Sequence, residues 1–288
     1  AAGAGAQLHR LGGDGVEGAV VEHQLDAVER SRTARVVALA GTRGLFLGMD
    51  NSRPPFDDPA VRRGIAQAVP YDDIMAFVHR GRAVRWKSVI RQPLPGYTDA
   101  FWRYDTDLER ARQALLPLIR ARTPLALSYP VGTGAGAGAA ILVQASLKRL
   151  GLACALEPLS PGLYNQRRIA GELAFFADEN DAPMVADGCF ELNQLYTSKA
   201  LQPTLIKFTQ SALVDPIAEQ LAAVDPVKGF RRYAALLRQA QELLVPLMPI
   251  VPISQTGTTL ALSTGLDVQG LLAHQGGFPR FDEIAVRS

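Results

Sequence analysis

The sequence predicts an α/β fold, because short apolar strands alternate with amphipathic helices along most of its length. Near the start, residues 35–40 (RVVALA) and 44–49 (GLFLGM) have the length and apolar character of buried strands. Later, a strand-like segment at 125–129, a helical segment at 139–150 and a strand-like segment at 152–156 follow one another in βαβ order. The chain has 288 residues, of which 48% are hydrophobic, so it can bury a sizeable core.

Two aspartates mark the starts of predicted helices. Asp58 is a good N-cap, and Pro59 follows at the first helical position, where its missing N–H costs nothing. The helix that follows has an apolar stripe at helical spacing, made of Val61, Ile65, Ala68 and Val69. This stripe places Arg62 on the opposite, solvent side. Asp107 caps a second helix, whose predicted buried side consists of Ala111, Leu115 and Leu118.

The rest of the chain continues the alternation. In order, we predict a helix near 163–169, a strand at 173–177, mostly loop at 178–215, an amphipathic helix at 229–245, and strands near 258–263 and 283–287. Strands at 35–49 and after Gly257 would lack partners if neighbouring segments lay outside this sequence, and unpaired edges favour aggregation.

Composition excludes several classes of function. The formal net charge is +2, from 30 basic and 28 acidic residues, which gives no reason to expect a nucleic-acid partner. The four histidines are scattered without an HExxH pattern, so we predict no metal site. There is no P-loop, nucleophile elbow or Ser-His-Asp signature, and we therefore predict no catalytic residue and no cofactor.

The cysteines and the chain start bear on the compartment. Cys154 and Cys189 fit no metal spacing; two free thiols are the preferred interpretation, and one disulfide stays open if the protein is exported. No apolar stretch of membrane-spanning length occurs. The sequence opens with AAGAGA, with neither Met nor a signal peptide, which suggests that it begins within a longer protein.

A glycine-rich segment supports an enzymatic alternative. Residues 132–139 are predicted as a loop between a strand and a helix, and 134–139 (GAGAGA) satisfy the G-x-G-x-x-A pattern of dinucleotide-binding proteins. Glu157 ends the next strand, near where a ribose-binding acid would stand. Against an NAD(P)-dependent enzyme, about 120 residues precede this unit and no second βαβ half follows cleanly.

Four segments in order and spacing resemble the extracytoplasmic solute-binding proteins of peptide/nickel-type ABC importers, family 5. They are the Pro-Pro-Phe-Asp-Asp run at 54–58 with its Val-Arg-Arg helix start, the Asp-capped helix at 107–116, the helix 139–150 running into Gly151-Leu152, and the Arg-Tyr-Ala-Gln-Leu-Pro pattern within 231–253. The sequence departs from the family at Pro70, where members usually carry an Asp, and it is much shorter than they are.

The resemblance implies a two-lobed periplasmic-binding-protein-like fold of type II, similar to cluster C. Residues 1–47 would end the first lobe, 48–250 would form the second lobe, and 251–288 would return to the first. It also implies a protein that is periplasmic or otherwise extracytoplasmic, membrane-associated through a permease or a lipid anchor, and monomeric at full length. Its function would be to bind a peptide or another small amine-bearing solute for delivery to the permease.

The resemblance also points to a ligand site. Asp178 follows an apolar strand in Phe-Phe-Ala-Asp-Glu-Asn-Asp-Ala-Pro, where peptide binders of the family place the Asp that pairs with the α-amino group; Ala182 before Pro183 departs from that pattern. A strand-end Asp can equally cap a turn. The predicted ligand-binding set is Asp178, Phe176, Phe175, Trp86 and Tyr129. We expect the free site to be open to water.

Three considerations qualify this set. Phe175 and Phe176 alternate across a strand, so at most one faces a cleft and both can be core. The glycine-rich segment has no basic residue that could take a peptide carboxylate, which argues against a dipeptide as ligand. A ligand-sensing domain of a regulator with the same fold is the alternative from another functional class.

Overall fold

The computed structural model describes residues 17–19, 28, 30–38, 43–132, 134–180, 187–257, 259–267 and 285–286. It divides the chain into two compact units, one made of Ala1–Arg43 with Thr256–Ser288 and the other of Gly44–Gln255. The larger unit holds the residues that matter for the predicted site.

The larger unit contains helices on both sides of a sheet. Its helices are α1 (Pro59–Ala68), α2 (Tyr71–Asp73, continued by a π-helical turn Ile74–Val78), α3 (Leu108–Ala121), α4 (Gly134–Arg149), α5 (Pro161–Ala170), α6 (Gly188–Leu195), α7 (Pro203–Ile206), α8 (Asp215–Ala222) and α9 (Phe230–Leu247). A short 3₁₀ turn, Ser211–Leu213, precedes α8.

The sheet of this unit is mixed and has six strands in the described residues. They are β3 (Arg43–Met49), β4 (Val84–Arg85), β5 (Leu125–Pro130), β6 (Cys154–Leu159), β7 (Phe175–Asn180) and β8 (Ile250–Thr256), in the order β4-β8-β3-β7-β5-β6. β5 runs parallel to both β6 and β7, whereas β3 pairs antiparallel with β7. The βαβ unit predicted from the sequence is thus present, and the fold is mixed α/β.

The smaller unit is built around antiparallel pairing. In its described part, β1 (Glu17–Ala19), β9 (Thr259–Ser263) and β2 (Ala34–Ala38) form one sheet, and β10 (Leu266–Asp267) pairs with β11 (Ala285–Val286). Val28, Ala34 and Ala261 make its small core. The strands that the sequence left without partners are therefore paired: β2 with β9, and β3 with β7.

The predicted helix caps are confirmed. The Asp58 carboxylate accepts the Ala60 N–H at the start of α1, and the Asp107 carboxylate accepts the Arg110 N–H at the start of α3. The predicted apolar face of α3, comprising Ala111, Leu115 and Leu118, is buried. Local chemistry alone thus located both helices.

Arg62 is a correction to the helical pattern. The stripe on α1 assigned it to solvent, but it is 2% exposed. Its guanidinium donates to the carbonyl oxygens of Leu247 and Met248, at distances of 2.7–3.2 Å, where α9 ends. It also donates to the carbonyl of Phe56 at 2.6 Å. The end of α9 covers the face of α1 that the pattern left open.

The glycine-rich segment is a second correction. Residues 134–138 are the first turns of α4 instead of a loop. The helical spacing predicts Ile141, Ala145 and Leu150 as inward positions; Leu150 is buried, but Ile141 and Ala145 are exposed, and Val143, Ser146 and Leu147 are among the buried residues instead. An Ala- and Gly-rich helix has little amphipathic contrast, which is why the apolar pattern misplaced its buried face.

The segment predicted as loop, 178–215, is a third correction. It contains α6 and α7, and Asp187 caps α6 by accepting the Phe190 N–H at 2.9 Å. Residues 181–186 lie outside the described residues. The N-cap at Asp187 is a helix-start signal in the sequence, but the prediction for this segment relied on its loop-like composition.

Candidate functional site

Asp178 lies near the end of β7. It pairs in register with Phe46 on β3, and Phe176, two residues earlier, shares its face of the sheet. β7 is also hydrogen-bonded to the parallel strand β5, in the register Ser128 with Phe176. The carboxylate therefore stands at the carboxyl end of a parallel strand, the usual position of ligand sites in α/β sheets.

Helix α5 provides the surroundings of this carboxylate. Arg168 Nη1 lies 3.8 Å from Asp178 Oδ2. The two groups form an ion pair, but these atoms are too far apart for a hydrogen bond. Tyr164 lies on the same helix, and its hydroxyl donates to the Ala177 carbonyl at 3.0 Å. The helix has Ser160 as its N-cap and ends at Gly171, whose φ of +68° is a conformation that glycine adopts without strain. These two caps fix where Tyr164 and Arg168 stand.

Burial dominates the electrostatics of Asp178, whose residue is 7% exposed. Desolvation raises the pKa of the carboxyl above its usual value of 3.8, and the charge of Arg168 and hydrogen bonds from the Glu179 backbone N–H and the Tyr164 hydroxyl only partly oppose that shift. The expectation that the free site is open to water is wrong for this side chain. A buried carboxylate with a raised pKa is a group whose charge is incompletely compensated in the free protein.

Two of the predicted aromatic residues belong to the same side of the sheet. The rings of Phe176 and Phe46 lie 6.4 Å apart in an edge-to-face arrangement, and Trp86 packs on Phe46 at the same distance. Gly48 is opposite Phe176, and a Cβ there would overlap the phenyl ring. Phe176 and Trp86 are fully buried, and the Trp86 indole N–H donates to the Ile90 carbonyl at 3.2 Å. Together with Phe46 they form an aromatic cluster on the same face of the sheet as Asp178.

The other two lie on the opposite side. Phe175 packs against Phe56, with ring centroids 5.3 Å apart, and both rings are buried. Tyr129 follows Ser128 on β5, so strand alternation directs it away from the Asp178 face. The structure therefore does not bring all five predicted residues together. Direct ligand contact by any of them stays a prediction.

A second charged cluster lies on the same face of the sheet, two strands away from Asp178. Glu157 on β6 accepts from Ser128 Oγ at 2.6 Å and from Arg167 Nη1 at 2.7 Å. The hydrogen bond from Ser128 and the pairing with Arg167 hold the pKa of the Glu157 carboxyl below its usual value. This carboxylate is well compensated, in contrast to Asp178, and its hydrogen bonds leave it poorly suited to bind a ribose.

The first turn of α4 also argues against a dinucleotide. The Ala135 N–H donates to Glu179 Oε1 at 2.7 Å, so a carboxylate of this protein already takes one of the free N–H groups at the helix start. A pyrophosphate placed there would meet a negative charge. Because the glycines are also helical, the loop required by the dinucleotide pattern is not formed.

Sequence reasoning missed three charged residues, Arg168, Arg91 and Glu191. The ion pair of Arg168 with Asp178 could not be predicted, because no sequence pattern indicates that the end of α5 packs near the strand that follows it. Arg91 and Glu191 form a buried ion pair, with 2.7 Å between Arg91 Nη1 and Glu191 Oε1 and 5% exposure of each side chain. The guanidinium of Arg91 also lies 5.0 Å above the Trp86 ring. Desolvation raises the pKa of Glu191, opposed by Arg91.

Cys154 and Cys189 are free thiols, each partly buried. Among the residues that the structure describes, no group of three or more His, Cys, Asp or Glu side chains could hold a metal ion. Within the same residues, every helix is too short or too polar to cross a membrane.

Known proteins share this fold. The chain superposes on the ABC transporter substrate binding protein CtaP from Listeria monocytogenes with a TM-score of 0.85 and 16% identity, covering 99% of this chain and 58% of that one. For the periplasmic binding protein DppA from Helicobacter pylori, solved with the peptide STSA, the TM-score is 0.81 with 19% identity, covering 99% and 55%. The predicted fold class is thereby confirmed.

A sequence relationship accompanies the fold. The chain is 24% identical over 242 residues to the probable D,D-dipeptide-binding periplasmic protein DdpA from Escherichia coli K12, covering 83% of this chain and 46% of that protein. It thus spans about half the length of the relatives it matches. The model of the bacterial extracellular solute-binding proteins, family 5 Middle, matches residues 12–201, more than half of the sequence. The chain belongs to the family 5 bacterial extracellular solute-binding proteins.

Proposed function

We propose that the whole protein binds a peptide or another small amine-bearing solute outside the cytoplasm and delivers it to the permease of an ABC importer, without transforming it. The observation that carries the proposal is the Asp178 carboxylate. It is buried at the end of a parallel strand, with its ion-pair partner 3.8 Å away. A solute ammonium would supply the hydrogen-bonded cation that Arg168 does not.

The energetics favour a cationic group on the solute. Removing a carboxylate from water is costly, and a cation at 3.8 Å without a hydrogen bond offsets only part of that cost. An ammonium that donates to Asp178 would add a charge-assisted hydrogen bond in a medium where water competes weakly. The same carboxylate would serve the ligand-sensing alternative, so the amine site is independent of whether the solute is transported or sensed.

The relatives support the class of solute. One is named for binding D,D-dipeptides, and another was solved with the peptide STSA. The family is extracellular, which supports a location outside the cytoplasm, next to a permease or held by a lipid anchor. We propose that the whole protein acts as a monomer.

In this proposal the predicted aromatic residues support the site without touching the solute. Phe176 and Trp86 pack on Phe46, the cross-strand neighbour of Asp178 on the same face, and Phe175 and Tyr129 are buried on the other side of the sheet. Truncation of Phe176 would therefore lower stability along with affinity, whereas truncation of Asp178 would lower affinity alone.

The test is calorimetry on the whole protein as its gene encodes it, with Ser-Thr-Ser-Ala, D-Ala-D-Ala and 1,4-diaminobutane as probes. We expect at least one probe to bind, and Asp178→Asn to cost about 2–5 kcal/mol of its affinity, as when one partner of a buried charge pair is removed. Glu157→Gln is the matched control on the same face, and should change affinity little because that carboxylate already has partners.

Melting temperatures, measured together with the affinities, distinguish a ligand-binding role of Asp178 from a structural one. Weakened binding by Asp178→Asn at an unchanged or raised melting temperature supports the proposal. Unchanged affinity with a lowered melting temperature identifies Asp178 as a structural cap and overturns the assignment, as does equal weakening by Glu157→Gln.

A further inference from the structure

We propose that Arg168 sets the specificity of the Asp178 site, so that it accepts cations able to donate hydrogen bonds, such as a primary ammonium, and rejects cations that cannot, such as a trimethylammonium. This inference rests on the proposed function. It is carried by the way the Arg168 guanidinium is held near Asp178 without reaching it.

The first step is that Arg168 is tethered elsewhere. Its Nη1 donates to Gln202 Oε1 at 3.2 Å, and its Nε donates to Asn165 Oδ1 at 3.3 Å. Gln202 is itself fixed, because its side-chain amide donates to Gln194 Oε1 at 2.9 Å and its backbone N–H donates to the Gln194 carbonyl at 3.0 Å. The guanidinium is thus anchored by Asn165 on its own helix and by Gln202 on the turn before α7, and α6 in turn holds Gln202.

The second step is what this tether does to Asp178. At 3.8 Å the positive charge of Arg168 offsets part of the carboxylate's charge, since a Coulomb interaction decays slowly with distance. A hydrogen bond decays steeply and is not formed at that distance. Arg168 therefore supplies charge to Asp178 but leaves it able to accept a further hydrogen bond.

The third step is how two solutes would differ. A trimethylammonium could gain only Coulomb attraction, which the charge of Arg168 already weakens. A primary ammonium also gains short N–H···O contacts, which Arg168 leaves unmade. The pair Arg168–Asp178 would thus convert a site for any cation into a site for hydrogen-bonding cations.

The neighbouring arginine offers the control. Arg167 precedes Arg168 on the same helix, but its Nη1 donates to Glu157 Oε1 at 2.7 Å, a fully formed ion pair. Arg167→Gln removes the same charge from the same helix without changing the nearest cation of Asp178. Arg168→Lys keeps the charge near Asp178 with a different shape.

The experiment compares two forms of one probe on the whole protein. The probe is Ser-Thr-Ser-Ala or D-Ala-D-Ala, whichever binds tighter, with a free or a trimethylated amino terminus. In the wild type, Arg167→Gln and Arg168→Lys, we expect the free amine to bind at least about tenfold more tightly. In Arg168→Gln this ratio should fall toward one, mainly because the trimethylated form gains affinity.

Failure of this inference is distinct from failure of the proposed function. If none of the three probes binds, or if Asp178→Asn binds as well as the wild type, the proposed function fails. If Asp178→Asn weakens binding while Arg168→Gln keeps the wild-type ratio, only the role of Arg168 is overturned. A ratio that falls equally in Arg167→Gln would show a general effect of net charge and would also overturn it.

Discussion

Arg62 and Asp178 are both buried charges in the larger unit, and their surroundings differ sharply. The Arg62 guanidinium donates to four backbone carbonyls, those of Phe56, Asp57, Leu247 and Met248, at 2.6–3.3 Å. Two of them belong to the end of α9, where the helix dipole favours a cation. Asp178 has its cation at 3.8 Å. We call Arg62 the matched charge, because the chain provides acceptors for its guanidinium. We call Asp178 the partly matched charge, because its nearest cation makes no hydrogen bond to it.

In our proposal, the difference separates a structural charge from a ligand-binding one. Burial lowers the pKa of Arg62 to about 10, so it remains charged, and its donors are taken up by the chain itself. Burial raises the pKa of Asp178, so its charged form is held at a cost. A binding protein can tolerate this loss of stability if the ligand supplies the missing partner, as in the trade-off between stability and activity.

The largest expected effect is at the matched charge. Arg62→Met leaves several buried carbonyl oxygens without donors and should lower the free energy of unfolding by about 3–5 kcal/mol. The control is Arg63→Met, since Arg63 donates to the Pro246 carbonyl at 2.9 Å from a more exposed position, and it should lose less than about 1 kcal/mol. Urea unfolding at constant m-value measures both. If both variants lost the same free energy of unfolding, the buried hydrogen bonds of Arg62 would contribute no more than the exposed one of Arg63.

The buried pair of Arg91 and Glu191 lies between these extremes. It has one short contact of 2.7 Å, yet Arg91 Nε is buried without a hydrogen-bond partner. Glu191→Leu alone leaves the arginine charge buried and should cost about 3–5 kcal/mol, whereas Arg91→Met with Glu191→Leu should recover most of that loss. A double-mutant cycle by urea unfolding gives the coupling. The partly exposed pair of Arg167 and Glu157 serves as the comparison, with a coupling below about 1 kcal/mol.

The smallest effect, of opposite sign, is at the partly matched charge. A carboxyl whose pKa is raised by folding contributes most to stability when protonated, below pH 3.8, and this contribution is lost as pH rises through the pKa of the folded state. Asp178→Asn should therefore be more stable than the wild type at pH 7, by about 1 kcal/mol, with the difference shrinking toward pH 3. Thermal unfolding at several pH values measures it. A variant less stable at pH 7 would mean that Asp178 is matched after all.

Much of the fold was readable from local patterns. The caps Asp58 and Asp107, the βαβ order of β5, α4 and β6, and the long helix α9 follow from short-range chemistry, and the structure has each of them. The burial of Arg62 was missed because the partners that decide it lie far along the chain. Arg62 is buried by residues about 185 positions away, and no helical pattern contains that information.

For the candidate site, the sequence by itself determined that a carboxylate, Asp178, ends an apolar strand after two aromatic residues, because strand length and alternation are local properties. Only the tertiary structure decided what surrounds it. The return of α5 over the sheet brought Arg168 to 3.8 Å, and contacts with α6 and the start of α7 held it there. Likewise, Glu179 met the first turn of α4 only because β7 lies beside β5. The sequence determines which residues are charged or polar, but the packing of the elements sets the distance between two charges.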